Sequence, residues 1–392
     1  MEVSMQRERL EYMDWLRVLA TAAVVLFHCC MFFTPVDWHM KNATTSTALF
    51  LAVAVMDLWL MPLFFLLSGM ASWLSLGGRS PWRYVQERSL RLLIPYYGVG
   101  VFVLLPPQCW FDRITHAGLT ESFLSFYPDY FSTLHLGPSP FFLGFWSGHL
   151  WFLRMLFLVS MAGLPIVLAL RSAWAQGWLE RRAEALAGLV PSRRTGLQAL
   201  VTLTPFLLLV SAMDLMLRPM PGRFTWESFG CFLTHFIIGA CLMTSPRLRD
   251  APARAWAWLL GLALLCTLLY LGMMLGGFAS PLTGDLPYWK VVLVRLVRGG
   301  GIFGWVAALL GLGMRFLPAG GPALRAMAAA AMPVYILHQT VLLIIGAFVI
   351  PRDWSIAGKF SVIAVVSSIL IVLLVRYAIW PYRWVRFAFG MK

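Results

Sequence analysis

Long apolar runs, separated by short arginine-bearing segments, dominate the chain. Ten of them, at about 15–33, 48–76, 92–110, 150–170, 198–217, 228–245, 256–277, 290–313, 328–350 and 360–380, are long enough to cross a bilayer. A helix of about 20 residues rising roughly 1.5 Å each spans the hydrocarbon core of about 30 Å. The pattern therefore predicts an all-α polytopic membrane protein with about ten transmembrane helices. The first run ends in His28-Cys29-Cys30, without a small-residue cleavage site, so it is expected to be a retained helix. No repeat, linker or low-complexity tract divides the chain, which reads as a single integral-membrane domain over 1–392.

Composition agrees. Of 392 residues, 60% are hydrophobic and 12% charged, against about 25% charged in ordinary soluble domains. A net charge of +14 raises the question of nucleic acid, but the placement of the cations answers it differently. The loops on one side of the predicted spans and the two termini carry nineteen Lys and Arg; the alternate loops carry six, namely Lys41, Arg113, Arg218, Arg223, Arg352 and Lys359. By the positive-inside rule both termini are expected in the cytoplasm, with the chain multi-pass in the inner, cytoplasmic membrane. The charge then serves topology and attraction for anionic lipid or cofactor; a nucleic-acid partner is not expected. The six cysteines sit mostly in apolar runs without metal-type spacing and read as small core residues.

Polar residues inside the spans carry the candidate chemistry, because each arginine or lysine near the bilayer centre costs about 2.5–3.5 kcal/mol and needs a partner or a use. The first span holds Asp14, Arg17, Thr21 and His28 on one stripe. Arg17 and His28 are eleven residues apart, which returns a helix to within about 20°. At roughly 16 Å along the axis, Arg17 at the inner face would hold His28 near mid-membrane. Histidine is a common general base, and a guanidinium binds phosphate bidentately. A donor entering phosphate-first at Arg17, with its reactive end at His28, fits this stripe. So does a structural Asp14–Arg17 ion pair with His28 hydrogen-bonded to a neighbouring helix.

Other positions carry paired readings of the same kind. Asp57 in the second span either orients an imidazole or pairs with Arg295; Ser68-Gly69 permits close helix packing. Arg88 and Arg91 share one face of an interfacial helix, facing lipid headgroups or donor phosphates. His149, Trp151 and Arg154 open the fourth span from the outer side, as acceptor pocket or as cap. Arg295 and Arg298, followed by Gly299-Gly300-Gly301, need an anion, either Asp57 or a ligand. His338, with Tyr335, lies near mid-membrane and suits the same cavity as His28. Lys290 and Arg376 lie near span ends and can snorkel. His235 reads as a satisfied core residue; His39, His116 and His135 read as loop residues. The outer segment from about Asp112 to Gly148 is rich in Phe and Tyr, an interfacial belt or a sugar-stacking lid. Gly-rich phosphate loops, Ser/His/Asp order and His/Glu metal spacing are all missing, which argues against a metal site.

Five of these stretches, in order, resemble acyltransferase family 3 of integral-membrane acyltransferases, in particular its glucan-modifying branch (glucans biosynthesis protein C-like). They are Asp14-Trp-Leu-Arg17 to His28, similar to the family's Arg-x10-His; Pro62 to Gly69, similar to Phe-Phe-x-x-Ser-Gly; Arg88-Ser-Leu-Arg91; His149-Leu-Trp151-Phe-Leu; and Tyr335 to His338. The fourth-span stretch continues as Arg154-Met155, without the acidic residue of some branches. The resemblance implies transfer of an acyl group, acetyl or succinyl, from cytoplasmic acyl-coenzyme A to a hydroxyl of an extracytoplasmic carbohydrate (a glucan, polysaccharide or glycolipid). It implies His28 as base, with Asp14 and Arg17 beside it in the catalytic stretch, and Arg17, Arg88 and Arg91 at the donor, joined by Arg295 and Arg298 if these take a ligand. Acyl-coenzyme A would be a co-substrate and no permanently bound cofactor is expected. Two rivals are a secondary transporter, which would use the intramembrane His and Arg residues as its path, and a lipid-linked sugar transferase, which would want acidic residues of the outer segment such as Asp112, Glu121 and Asp129.

Overall fold

A computed structural model describes residues 2–132, 147–217, 226–277 and 287–391. In chain order the α-helices are α1 (Glu2–Met31), α2 (Thr47–Asp57), α3 (Leu60–Leu76), α4 (Pro81–Pro95), α5 (Leu105–Ala117), α6 (Phe123–Ser132), α7 (Trp151–Leu170), α8 (Ala173–Gly188), α9 (Thr195–Leu217), α10 (Trp226–Leu242), α11 (Pro246–Leu275), α12 (Tyr288–Phe316), α13 (Pro322–Val349), α14 (Ile356–Leu373) and α15 (Arg383–Ala388). A π-helical stretch (Tyr96–Leu104) joins α4 to α5, and another (Leu374–Ile379) follows α14. There is no strand among the described residues. The chain is an all-α polytopic membrane protein.

Nine helical segments among the described residues are long and apolar enough to cross a membrane. The tenth predicted run is the 17-residue α10, about 26 Å long and just short of a full hydrocarbon core. It stops at Leu242 because Ser245 caps the next helix, its hydroxyl accepting from the Leu248 N–H with Pro246 in the first turn. Ser172 and Ser355 start α8 and α14 the same way. The second predicted span is broken: α2 ends at Asp57 and α3 begins at Leu60.

The chain forms two compact units, each assembled from separate stretches. One comprises 1–20, 54–85 and 158–325. Within it α11 runs along α12, α9 packs on both, and α3 packs along α10. Small residues set these approaches: a Cβ at Gly69 would stand 1.9 Å from the Phe236 carbonyl oxygen, and one at Gly299 would stand 2.7 Å from the Ser211 Cα. The expected packing function of Ser68-Gly69 is thus met by Gly69.

The other unit comprises 21–53, 86–157 and 326–392. Its core gathers Cys29 of α1, and Phe32 and Phe33 just past its end, with Leu342 and Leu343 of α13 and Ile363 of α14. All six cysteines are free thiols, five of them buried. Of the aromatic segment read from sequence as outer, Phe123–Ser132 forms α6, which packs on α5 with Phe126 and Tyr130 buried. Phe141, Phe142, Phe145, Trp146 and His135 lie outside the described residues.

Candidate active site

His28 sits in the last turn of α1. Its Nδ1–H donates to the Val24 carbonyl, one turn back, at 2.9 Å. Nε2 of His338 lies 3.2 Å from the same Nδ1. His338 is fully enclosed and its own Nδ1 is 2.5 Å from the Tyr335 carbonyl. A carbonyl only accepts, so both Nδ1 atoms are assigned the proton. The His338 Nε2 is then a lone-pair acceptor, and the His28 Nε2 is left free of both partners. The His28 ring is only part-buried, with the Trp38 indole 6.3 Å away and tilted 39°.

His149 stands on the far side of His338, with ring centroids 4.9 Å apart and planes at 90°. It is placed by a single 3-10 turn, Gly148–Leu150, ahead of α7. Its Nε2–H donates to the Ile336 carbonyl at 3.0 Å, and its Nδ1 accepts from the Gln108 amide at 3.1 Å. The Tyr335 hydroxyl donates to the His149 carbonyl. Gln108 also donates to Thr340 Oγ1 at 2.7 Å, while its Oε1 accepts from Gln339 at 3.1 Å. Gln339 is 2.8 Å from Nε2 of His39, whose Nδ1–H faces Asp112 Oδ1 at 3.0 Å. Residues 335, 336, 338, 339 and 340 of α13 thus all enter this network. A buried network is stable only when its members are satisfied, since each orphaned group costs about 1–3 kcal/mol.

His39 does lie in the loop between α1 and α2, as read from sequence, though buried in the network. His116, also read as a loop residue, is corrected, since it lies on α5 with Nε2 2.7 Å from Asp37. Two lysines tie down helix ends in this unit. Lys41 donates to the carbonyl of Met31, the last residue of α1, at 2.6 Å. Lys359 donates to the Ile350 carbonyl just past α13, and to Asn42, each at 2.8 Å. Burial pushes the Lys41 ammonium down to about 8, against the opposing pull of the Asp37 carboxylate. Arg154 is buried, with Nη1 3.1 Å from the Tyr96 hydroxyl and the guanidinium over that ring. Trp151 begins α7, edge-on to Phe152. Arg88 and Arg91 lie one turn apart on α4, Arg91 exposed.

The remaining predicted residues belong to the other unit. Arg17 pairs with Asp14 at 2.7 Å, both about a third exposed, as the structural reading of that stripe expected. Asp57 pairs with Arg298, at 3.4 Å, where the sequence had suggested Arg295. Arg298 also forms a hydrogen-bonded ion pair with Asp214 of α9, and Arg295 is 4.0 Å from the same carboxylate. The close approach of α9 at Gly299 is what allows this: Asp214 lies one turn beyond Ser211. The anion that the two arginines require is therefore supplied by Asp57 and Asp214. Ser68 is buried, and its carbonyl accepts from the Ser72 hydroxyl at 2.7 Å. His235 donates through Nδ1 to the Cys231 carbonyl at 2.8 Å, but its buried Nε2 has no hydrogen-bond partner among the described residues.

Sequence reasoning passed over Asp214, Gln108, Gln339 and Thr340. Asp214 had a usable signal, as the sole acid in the predicted span 198–217. Gln108 had a weaker one, lying near the end of an apolar run, since a neutral amide is cheap enough to pass for packing. Among the described residues no cluster of three or more His, Cys, Asp or Glu suits a metal ion.

A search of curated proteins found no match, and neither did a search of solved structures. The model of one protein family, described as an acyltransferase domain, matches residues 10–380, nearly the whole chain. The chain is therefore a membrane acyltransferase and belongs to acyltransferase family 3.

Proposed function

We propose that this acyltransferase moves an acetyl or succinyl group from acyl-coenzyme A, on the cytoplasmic side of the inner membrane, to a hydroxyl of a cell-envelope carbohydrate. The observation that carries the reading is the state of His28: its Nδ1–H is engaged by Val24 and His338, which leaves Nε2 as a free lone pair on a part-buried ring. That atom takes the proton of the acceptor hydroxyl while the oxygen attacks the thioester carbonyl. As the tetrahedral intermediate collapses, the C–S bond breaks and the thiolate recovers the proton from Nε2. The products are an ester and free coenzyme A thiol. General-base help of this kind supplies about 10²–10⁴-fold, the rest coming from positioning and oxyanion stabilisation.

Arg17 on α1, and Arg88 and Arg91 on α4, are each proposed as a contact for a donor phosphate. Arg298 is less suited, because it is buried and already holds two carboxylates. The lipid bilayer is the medium, with both termini on the cytoplasmic side. His149, Tyr335, His338, Trp151 and Arg154 belong to the acceptor side of the same unit. The test uses full-length protein in lipid nanodiscs with acetyl- or succinyl-coenzyme A and a panel of glucans. Acceptor-dependent thiol release, with the matching mass added to the glycan, is expected. Absence of an acylated glycan with either donor, together with solute uptake in proteoliposomes, would overturn this reading in favour of a transporter.

A further inference from the structure

Catalytic imidazoles are usually held in one tautomer by a group behind them, most often a carboxylate. Among the described residues the group that meets the His28 Nδ1 is not a carboxylate but a second imidazole, that of His338. We infer that His338 is the positioning residue of the acyl transfer: a neutral imidazole that fixes the His28 ring through its Nδ1–H and whose lone pair stabilises the imidazolium formed when the His28 Nε2 gains a proton. The inference rests on His28 being the base.

The hydrogen bonds run in one direction. The Tyr335 carbonyl takes the Nδ1–H of His338 at 2.5 Å, which forces the lone pair of His338 onto Nε2. That lone pair meets the Nδ1–H of His28 at 3.2 Å, shared with Val24 O at 2.9 Å. The rings lie 4.8 Å apart at 60°, edge toward face, consistent with an N–H aimed between two acceptors. His338 is fully buried and His28 is not, so a proton can be exchanged with substrate at His28 only. Transfer of the Nδ1 proton onward to His338 would leave a bare Nδ1 facing the Val24 carbonyl, two acceptors in contact. His338 is therefore a fixed orienter and not a relay. Titratable groups around the pair include His149 and Tyr335, both against the His338 ring, and His39 beyond them. Each has its own acceptor: the Ile336 carbonyl for His149, the His149 carbonyl for Tyr335 and Asp112 for His39.

The test has two arms on the full chain in nanodiscs. In protein carrying 15N-histidine, with His28→Gln and His338→Gln used to assign signals, His28 and His338 should each show a protonated Nδ1 and a bare Nε2. A protonated Nε2 on His28 in the resting protein would overturn the inference without any activity measurement. In the second arm, thiol release from acetyl-coenzyme A is followed with a glucan oligomer as acceptor. His338→Phe should lower kcat about 10–100-fold with donor KM within twofold. His338→Gln, whose Oε1 can stand where Nε2 stood, should recover at least about tenfold of that loss. Wild-type kcat in His338→Phe would overturn the orienting role. If His28→Ala itself keeps turnover, the base reading fails instead, and the spectra still report the tautomers independently.

Discussion

Asp214 of α9 and Arg298 of α12 form a buried, hydrogen-bonded ion pair inside one unit, with Asp57 closing on the same guanidinium from the broken second span. Removing one partner of such a pair leaves an uncompensated charge where no water can reach it. Asp214→Leu should therefore cost about 3–5 kcal/mol. The double variant Asp214→Leu/Arg298→Met should recover a substantial part of that loss. Thermal unfolding in one detergent checks both, and a single variant as stable as wild type would show that the pair is dispensable.

His28 should behave differently, as a residue of chemistry more than of folding. His28→Ala is expected to cut acyl transfer by about 10²-fold or more while leaving insertion and melting temperature near wild type. Its ring is only part-buried, so little packing is lost. Retained turnover with normal folding would dismiss the base.

Arg17 lies on the same helix with its side chain about a third exposed. Arg17→Ala should raise the KM for acyl-coenzyme A several-fold, by an amount that shrinks at high salt, with a smaller change in kcat. An unchanged donor KM at low salt would count against the phosphate contact.

Gly69 has no room for a methyl group, since its Cβ would stand 1.9 Å from the Phe236 carbonyl oxygen. Gly69→Ala should force α3 off α10 and destabilise by about 1–3 kcal/mol. Gly261→Ala is the control: nothing lies within 4 Å of its Cβ, so it should be neutral or stabilise by up to about 1 kcal/mol. Equal melting temperatures for the two would contradict the close approach.

Lys41 supplies a pH dependence whose sign can be worked out. Its ammonium is pushed down to about 8 from the ordinary 10.5. Between those values the unfolded chain binds the extra proton, so folding gains stability as pH rises through the window. Below it the cost of the buried charge is fully present. Unfolding scans from pH 7 to 10 should show wild type gaining on Lys41→Met, and parallel curves would rule the effect out.

Much of this architecture was legible in the chain. The apolar runs marked the spans, and the His28 stripe and the Tyr335–His338 stretch marked two helices that do meet. What hydropathy missed was the polar extension of helices: α11 begins at Pro246, ten residues before its apolar run, because Arg247, Asp250 and Arg254 continue the helix while reading as loop. Partner choice was equally hidden. Arg295 and Arg298 share a face one turn apart, and only the packing of the neighbouring helices decides which one meets Asp57. The amide network was invisible for another reason: Gln108 and Gln339 are 231 positions apart, and nothing local distinguishes a glutamine that links two helices from one that faces water.

The π-helical stretch from Tyr96 to Leu104 has a bearing on how this family can vary. It winds the backbone wider than the α-helices it joins, so the phase of everything after it depends on the number of residues within it. Deleting one residue there would turn α5 by about 100° and swing Gln108 away from His149 and Thr340 together. Insertions and deletions in that turn would rewire the interior without altering a single side chain that takes part in it.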